Sequence, residues 1–270
     1  MLSSTGGQAL LVPGLALWLS KNFVSLQKDG QADVILFPRL TQSRFVGSNS
    51  MTIDTLIIEK AIEEVETKSL GFTKQFLEIH KLVYIDNKPK VARVDTDEED
   101  VAIVYLNVEN EEFFLAIYID TKPSLKVRWI NTEPYHAVYF RASSDTLSLK
   151  ELAELTKLTS TRGRTKGNKK HPNSETEIRW EKSTIDFEPN PEPDEFEDKL
   201  TKLLDFLEQD KEGIGKLVNH ANGYIRVYSS FHNGNTLIGG HFIDKNQIKR
   251  MSQLNLEIDF DICADGNFFK

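Results

Sequence analysis

Apolar positions recur along this chain with two different periods, and the switches between them mark out its elements. From Met51 onward Ile53, Ile57, Ala61 and Val65 repeat every four residues, with Leu56 and Ile62 beside them. Glu59, Lys60, Glu63 and Glu64 take the other side. That is the buried face of an amphipathic helix, and Thr52 or Asp54 can cap its start. Phe72 to Val83, after Gly71, reads as a second helical or mixed segment, and Asp86-Asn87-Lys88-Pro89 as a turn. The period then drops to two. Val101–Val108 and Phe113–Asp120 are rich in β-branched and aromatic residues, with a short polar segment between them that suits a hairpin. Leu125, Val127 and Trp129 alternate with Lys126 and Arg128, which predicts a half-buried strand.

From Tyr135 to Ala264 the order reads strand, helix, strand, helix, strand, helix, strand. Ala137–Ala142 is the first strand. Ser148-Leu149-Lys150-Glu151 is a capping box ahead of a short helix with Leu149, Leu152, Ala153 and Leu155 inward. Ile178–Phe187 reads as a strand, and the proline-interrupted residues 188–193 as an extended connector. Asp194 opens an acidic helix, taken to run to Glu212, with Phe196, Leu200, Leu203, Leu204 and Leu207 as its buried stripe. The acids Glu195, Glu197 and Asp198 in its first turn suit the helix dipole. Tyr224–Phe231 is a strand, and Asp244 to Gln247 starts a helix with Ile248, Met251 and Leu254 inward. Leu256, Ile258, Phe260 and Ile262 then alternate strictly with Glu257, Asp259 and Asp261, predicting a strand with one buried and one acidic face.

These elements predict an α+β protein of two small domains. Residues 51–133 form an N-terminal α+β domain, a helix plus an antiparallel β-meander. Residues 134–270 form a C-terminal α+β domain, an α/β sandwich with strand–helix alternation. Residues 1–50 lack this periodicity and read as an extension or mis-assigned leader, poorly ordered, with Met51 as the natural start.

Several segments of the second half carry a family resemblance. They are the strand YFRAS, the Lys166-Gly167 loop, the strand with Trp180, and the helix start Pro-Asp-Glu-Phe-Glu-Asp at 193–198. The Asn233-Gly234-Asn235 turn and the closing LEIDFDI strand complete the set. The segment from about Tyr135 to Ala264 resembles the bacterial domain-of-unknown-function 4279 family. The resemblance implies an α+β sandwich with one antiparallel or mixed sheet. It implies no reaction.

Composition narrows the function classes. The net charge of −8 argues against a dedicated DNA binder and suits a cytoplasmic protein with a basic partner. A single cysteine, Cys263, leaves no internal disulfide and no cysteine-rich zinc site. No apolar run reaches the ~18 residues of a membrane span. No G-x-S-x-G elbow, P-loop or G-x-G-x-x-G fingerprint occurs where its chemistry requires it, and no cofactor is implied.

Three functions remain. The first is a non-catalytic protein-interaction module, immunity-like by analogy with acidic toxin-neutralising domains. Its partner-binding candidates are Asp194, Glu195, Glu197 and Asp198 on the acidic helix, and Glu257, Asp259 and Asp261 on the last strand. The second is anion or nucleic-acid binding by the basic loop 157–170, through Arg162, Arg164, Lys166, Lys169 and Lys170. The third is a metal-dependent hydrolase in which His232 or His241 joins Asp259 and Asp261.

Overall fold

The α+β expectation holds in a computed structural model of the chain, which describes residues 52–171, 177–234 and 239–269. Residues 1–50, expected to be an extension, lie outside the described residues. Helix α1 (Ile53–Thr67) starts where Thr52 Oγ1 accepts the Thr55 N–H, and it buries Ile57, Ala61 and Val65 as their spacing predicts, whereas Ile53 and Leu56 are exposed and Glu64, expected on the solvent side, is buried. Helix α2 (Gly71–Ile79) comes after a turn built on one buried carboxylate. Glu64 accepts bonds from Ser69 Oγ, the Leu70 N–H and Thr73 Oγ1.

Strands β1 (Tyr84–Ile85) and β2 (Lys88–Pro89) form a two-residue hairpin. Its turn residues Asp86 and Asn87 both have positive φ, which short polar side chains tolerate. Strands β3 (Val91–Asp95), β4 (Val101–Asn107), β5 (Phe114–Asp120) and β6 (Lys126–Glu133) then make an antiparallel sheet in sequence order. One face of this sheet packs on α1 and α2, where Val104, Leu106, Leu115 and Ile117 meet Ile57 and Phe76. Strand β3 escaped the sequence pattern because none of its residues is fully buried.

The alternation expected across Trp129 is broken by a bulge. Tyr118 pairs with Trp129 but Ile119 pairs with Val127, so Arg128 is an extra residue. The extra residue reverses the facing of its C-terminal neighbours. Ile130 turns into the core, and Trp129 is left half exposed against Tyr118.

Pro134 alone separates β6 from β7 (Tyr135–Ser144). With β8 (Arg162–Arg164), β9 (Ser183–Phe187), β10 (Tyr224–His232) and β11 (Ile258–Asp265) it forms a second sheet, ordered β11-β10-β7-β9-β8. Only the β10–β11 pair is parallel, so the sheet is mixed. Helices α3 (Leu149–Glu154), α4 (Phe196–Leu207), α5 (Lys211–Ala221) and α6 (Lys245–Gln253) accompany this sheet. Phe140, Ile185, Val227, Leu203 and Leu217 meet in its core. Both capping boxes form, at Ser148–Glu151 and Asp244–Gln247.

Four expectations for this half are corrected. The strand read at 178–187 begins only at Ser183, and Ile178 is exposed. The acidic helix does not run unbroken to Glu212. A 3₁₀ turn at Glu208–Asp210 ends it, because Asp210 leaves helical geometry to accept the Gly213 N–H as the cap of α5. A Cβ at Gly213 would overlap the Asp210 carboxylate, so glycine is required there. The apolar face of the last strand is not buried, since β11 is an edge strand and Ile262 is 51% exposed. On α6, Gln247 turns inward in place of Ile248, donating to the Glu197 carbonyl. Among the described residues no helix is long and apolar enough to cross a membrane.

Candidate functional site

The antiparallel register of β7 and β10 places His136 directly opposite Ser229. His136 Nδ1 and Ser229 Oγ lie 2.8 Å apart, and Ser229 Oγ is 2.8 Å from His241 Nε2. One hydroxyl proton serves both contacts, so Ser229 donates to one imidazole and accepts from the other. Burial pushes His136 down to about 3, helped by the neighbouring His241 and Lys199. Burial also lowers His241, against the pull of Glu197. Both rings are therefore neutral at neutral pH.

A cavity of about 230 Å³ opens in front of this pair. Its walls include Glu133 and Pro134 from the β6–β7 passage, Glu195 and Glu197 from the start of α4, and Gly239 to His241. The walls are acidic and their charges conflict. Glu195 is pushed up to about 7 by partial burial, then by Glu133, Glu197, Asp194 and Asp198. Burial raises Glu133 too, even though Tyr118 Oη donates to it at 2.6 Å. Asp198 is raised by burial and by Asp194.

The base of α4 holds this wall in place. Burial works to raise the Asp194 carboxyl, yet Lys202 at 2.5 Å and Arg93 at 2.9 Å hold it below its ordinary value. Lys199 is fully buried, donates to the Asn190 carbonyl, and is lowered to about 8 by burial against Glu188 and Asp194. Glu197 Oε1 accepts the Phe242 N–H at 2.8 Å, which ties the His241 loop to the helix.

Of the acidic candidates, the structure thus brings Glu195 and Glu197 to one cleft, with Asp198 beside them and Asp194 buried beneath. It places the others elsewhere. Asp259 and Asp261 are both bound by Arg226. Glu257 is exposed at a larger recess of about 610 Å³ between α5 and α6, otherwise lined by uncharged side chains such as Asn219, Asn222 and Asn255.

The basic loop is largely paired. Arg162 meets Asp186 and Glu188, Lys166 Nζ donates to the Asp145 carbonyl, and Lys169 meets Glu177. Arg164 and Lys170 both stack on Trp180, an aromatic partner that the loop sequence itself does not contain.

The histidine–aspartate constellation is not assembled. His241 lies on the Phe260 face of β11, opposite to Asp259 and Asp261. His232 pairs with Asp265, four rungs from the Tyr228–Asp261 pair, and its ring turns to His80. Among the described residues no group of three or more His, Cys, Asp or Glu is placed to hold a metal ion.

His136, Ser229 and Glu133 were missed from the sequence. Nothing in the sequence singles out Glu133 at the polar end of β6, and the pairing that unites His136 with Ser229 spans 93 positions. The Ser–His contact does not make a nucleophile, because Ser229 is fully buried at the sheet centre.

No curated protein and no solved structure matches the chain. Residues 133–265, the C-terminal half that contains most of this cleft, match the family model described as Domain of unknown function (DUF4279).

Proposed function

We propose that this chain is a non-catalytic protein-interaction module of the bacterial cytoplasm, and that its acidic cleft takes a basic side chain of the partner. The observation that carries the reading is the conflict at Glu195. A carboxyl raised to about 7 by partial burial and then by four acidic neighbours, at an open cleft, is relieved by a guanidinium or ammonium group. The Ser229 hydroxyl beside the cleft is fully buried, and the carboxylates of Glu133, Glu195 and Glu197 dominate its walls. An acidic immunity protein that neutralises a basic toxin would use such a surface to steer and seat its partner.

The test is calorimetric titration of the full chain with hexa-arginine at low salt. Glu195→Lys/Asp198→Lys should weaken binding at least tenfold and flatten its salt dependence. Glu59→Lys/Glu66→Lys, which places the same charge change on exposed positions of α1, should change it far less. Equal loss in both variants would leave only a general charge effect and remove the cleft from the reading.

A further inference from the structure

Helix α2 ends against His80 and β10 ends at His232, and the two rings meet Nε2 to Nε2 at 2.9 Å. Both side chains are buried. His232 Nδ1 accepts the Gly234 N–H at 3.0 Å, so that nitrogen carries no proton. A neutral His232 must then hold its proton on Nε2 and donate to His80. His80 in turn keeps its proton on Nδ1, which faces Glu111 Oε1 at 3.8 Å. One tautomeric arrangement satisfies the whole chain of contacts.

The surroundings are apolar. Phe76, Phe113 and Phe269 lie with ring centres 4.8–6.0 Å from these imidazoles. Gly266, at φ +92°, passes so close that a Cβ there would crowd Phe113 and His80. Among the described residues, few charged groups face the pair. Glu111 comes from the β4–β5 loop and is itself raised by burial and by Asp265 at the end of β11. The Asn267 backbone favours the protonated form of both rings, against the larger opposing effect of burial, and its side chain donates to the Ile79 carbonyl.

We propose that the His80–His232 bond is an acid-sensitive latch, whose protonation frees α2 and the segment around Phe269 from the end of β10. A proton on His80 Nε2 sets two N–H donors face to face. A proton on His232 Nδ1 meets the Gly234 N–H. Either event breaks a bond in the chain and leaves a cation among phenylalanine rings. Burial lowers His80 and, with His80 as its neighbour, lowers His232 to about 4. A free imidazole titrates near 6.5. The latch is therefore fully closed above pH 6.5 and loses stability as pH falls toward 4. This stands apart from the cleft, whose histidines are a different pair.

The experiment is hydrogen exchange with mass spectrometry on the full chain at pH 7.5, 6 and 5, corrected for intrinsic rates. Residues 70–80 and 262–269 should open on the order of tenfold more at pH 5 than at 7.5, while α5 and β9 keep their protection. His80→Gln/His232→Gln retains hydrogen-bonding groups without titrating, and its exchange in these segments should be flat with pH. The proposal fails if the wild-type segments are equally protected at both ends of the range. It fails equally if α5 opens to the same extent, or if the double variant keeps the wild-type pH response. The wild-type profile decides the question alone should the variant not fold.

Discussion

His80 and His232 are joined by a direct ring-to-ring bond, whereas His136 and His241 are joined through the Ser229 hydroxyl. Both pairs are neutral and lowered by burial. They differ in what one added proton does. A hydroxyl can rotate, so a protonated His241 can donate to Ser229 while Ser229 donates to His136, and no bond is lost. The direct pair has no rotor. One added proton either turns the ring-to-ring bond into a clash of donors or meets the Gly234 N–H. Phenylalanines pack on both pairs, Phe76, Phe113 and Phe269 on the first and Phe196, Phe231 and Phe260 on the second, but the acid-walled cavity adjoins the second. The number of buried histidines therefore says little about acid response until the atom between the rings is known.

The largest test of this contrast is truncation. His232→Ala removes a ring packed on three phenylalanines and leaves His80 Nε2 without its donor. The expected loss is ~2–4 kcal/mol in urea unfolding at pH 7.5. His241→Ala, at a less completely buried ring that also touches Phe196, Phe231 and Phe260 on the cleft rim, should lose less, about 1–2 kcal/mol. Equal losses would mean that the sealed pair gains nothing from its enclosure.

Ser229→Ala acts on the linker itself. It removes the one group shared by two buried imidazole nitrogens, and the expected cost is about 1–3 kcal/mol at neutral pH. The difference from wild type should widen at pH 5.5, because the hydroxyl can no longer accept from a protonated His241. A difference that stays constant with pH would show that the rotor confers no tolerance to acid.

Much of the frame of these sites was legible in the sequence. Where period and cap agreed, as in α1 and at Ser148 and Asp244, a helix formed where it was read, although Ile53, Leu56, Ala153 and Ile248 stay exposed and Glu64 turns inward. The failures share a cause, since tertiary neighbours decided them. Trp129 was turned outward by one extra residue at Arg128, β11 was left exposed by its edge position, and α5 was hidden behind the Asp210 cap. At the site, Glu195, Glu197 and His241 stood out as charged or glycine-flanked residues. His80, His136 and Ser229 did not, because a polar residue in an apolar segment acquires meaning only from the residue opposite it. That partner is set by strand register and by the packing of α2 on the first sheet.

The smallest expected effect runs in the opposite pH direction. The ionised Glu195 carboxylate is disfavoured in the folded protein, with its titration raised from 4.5 to about 7. Folding stability at this position is thus full at low pH and is lost as pH rises through that interval. Glu195→Gln removes the liability. Its side chain is partly exposed, so solvent screening reduces the gain to about 1 kcal/mol at pH 8, with none at pH 4.5. Urea midpoints at the two pH values measure it. Hexa-arginine should reproduce part of that gain in the wild type at pH 8 and add nothing to the variant. A wild type no less stable than the variant at pH 8 would mean that Glu195 ionises freely into solvent. The cleft would then carry no stored repulsion for a basic partner to relieve, and the contrast between a sealed pair that resists protons and a cleft that holds them would collapse to the sealed pair alone.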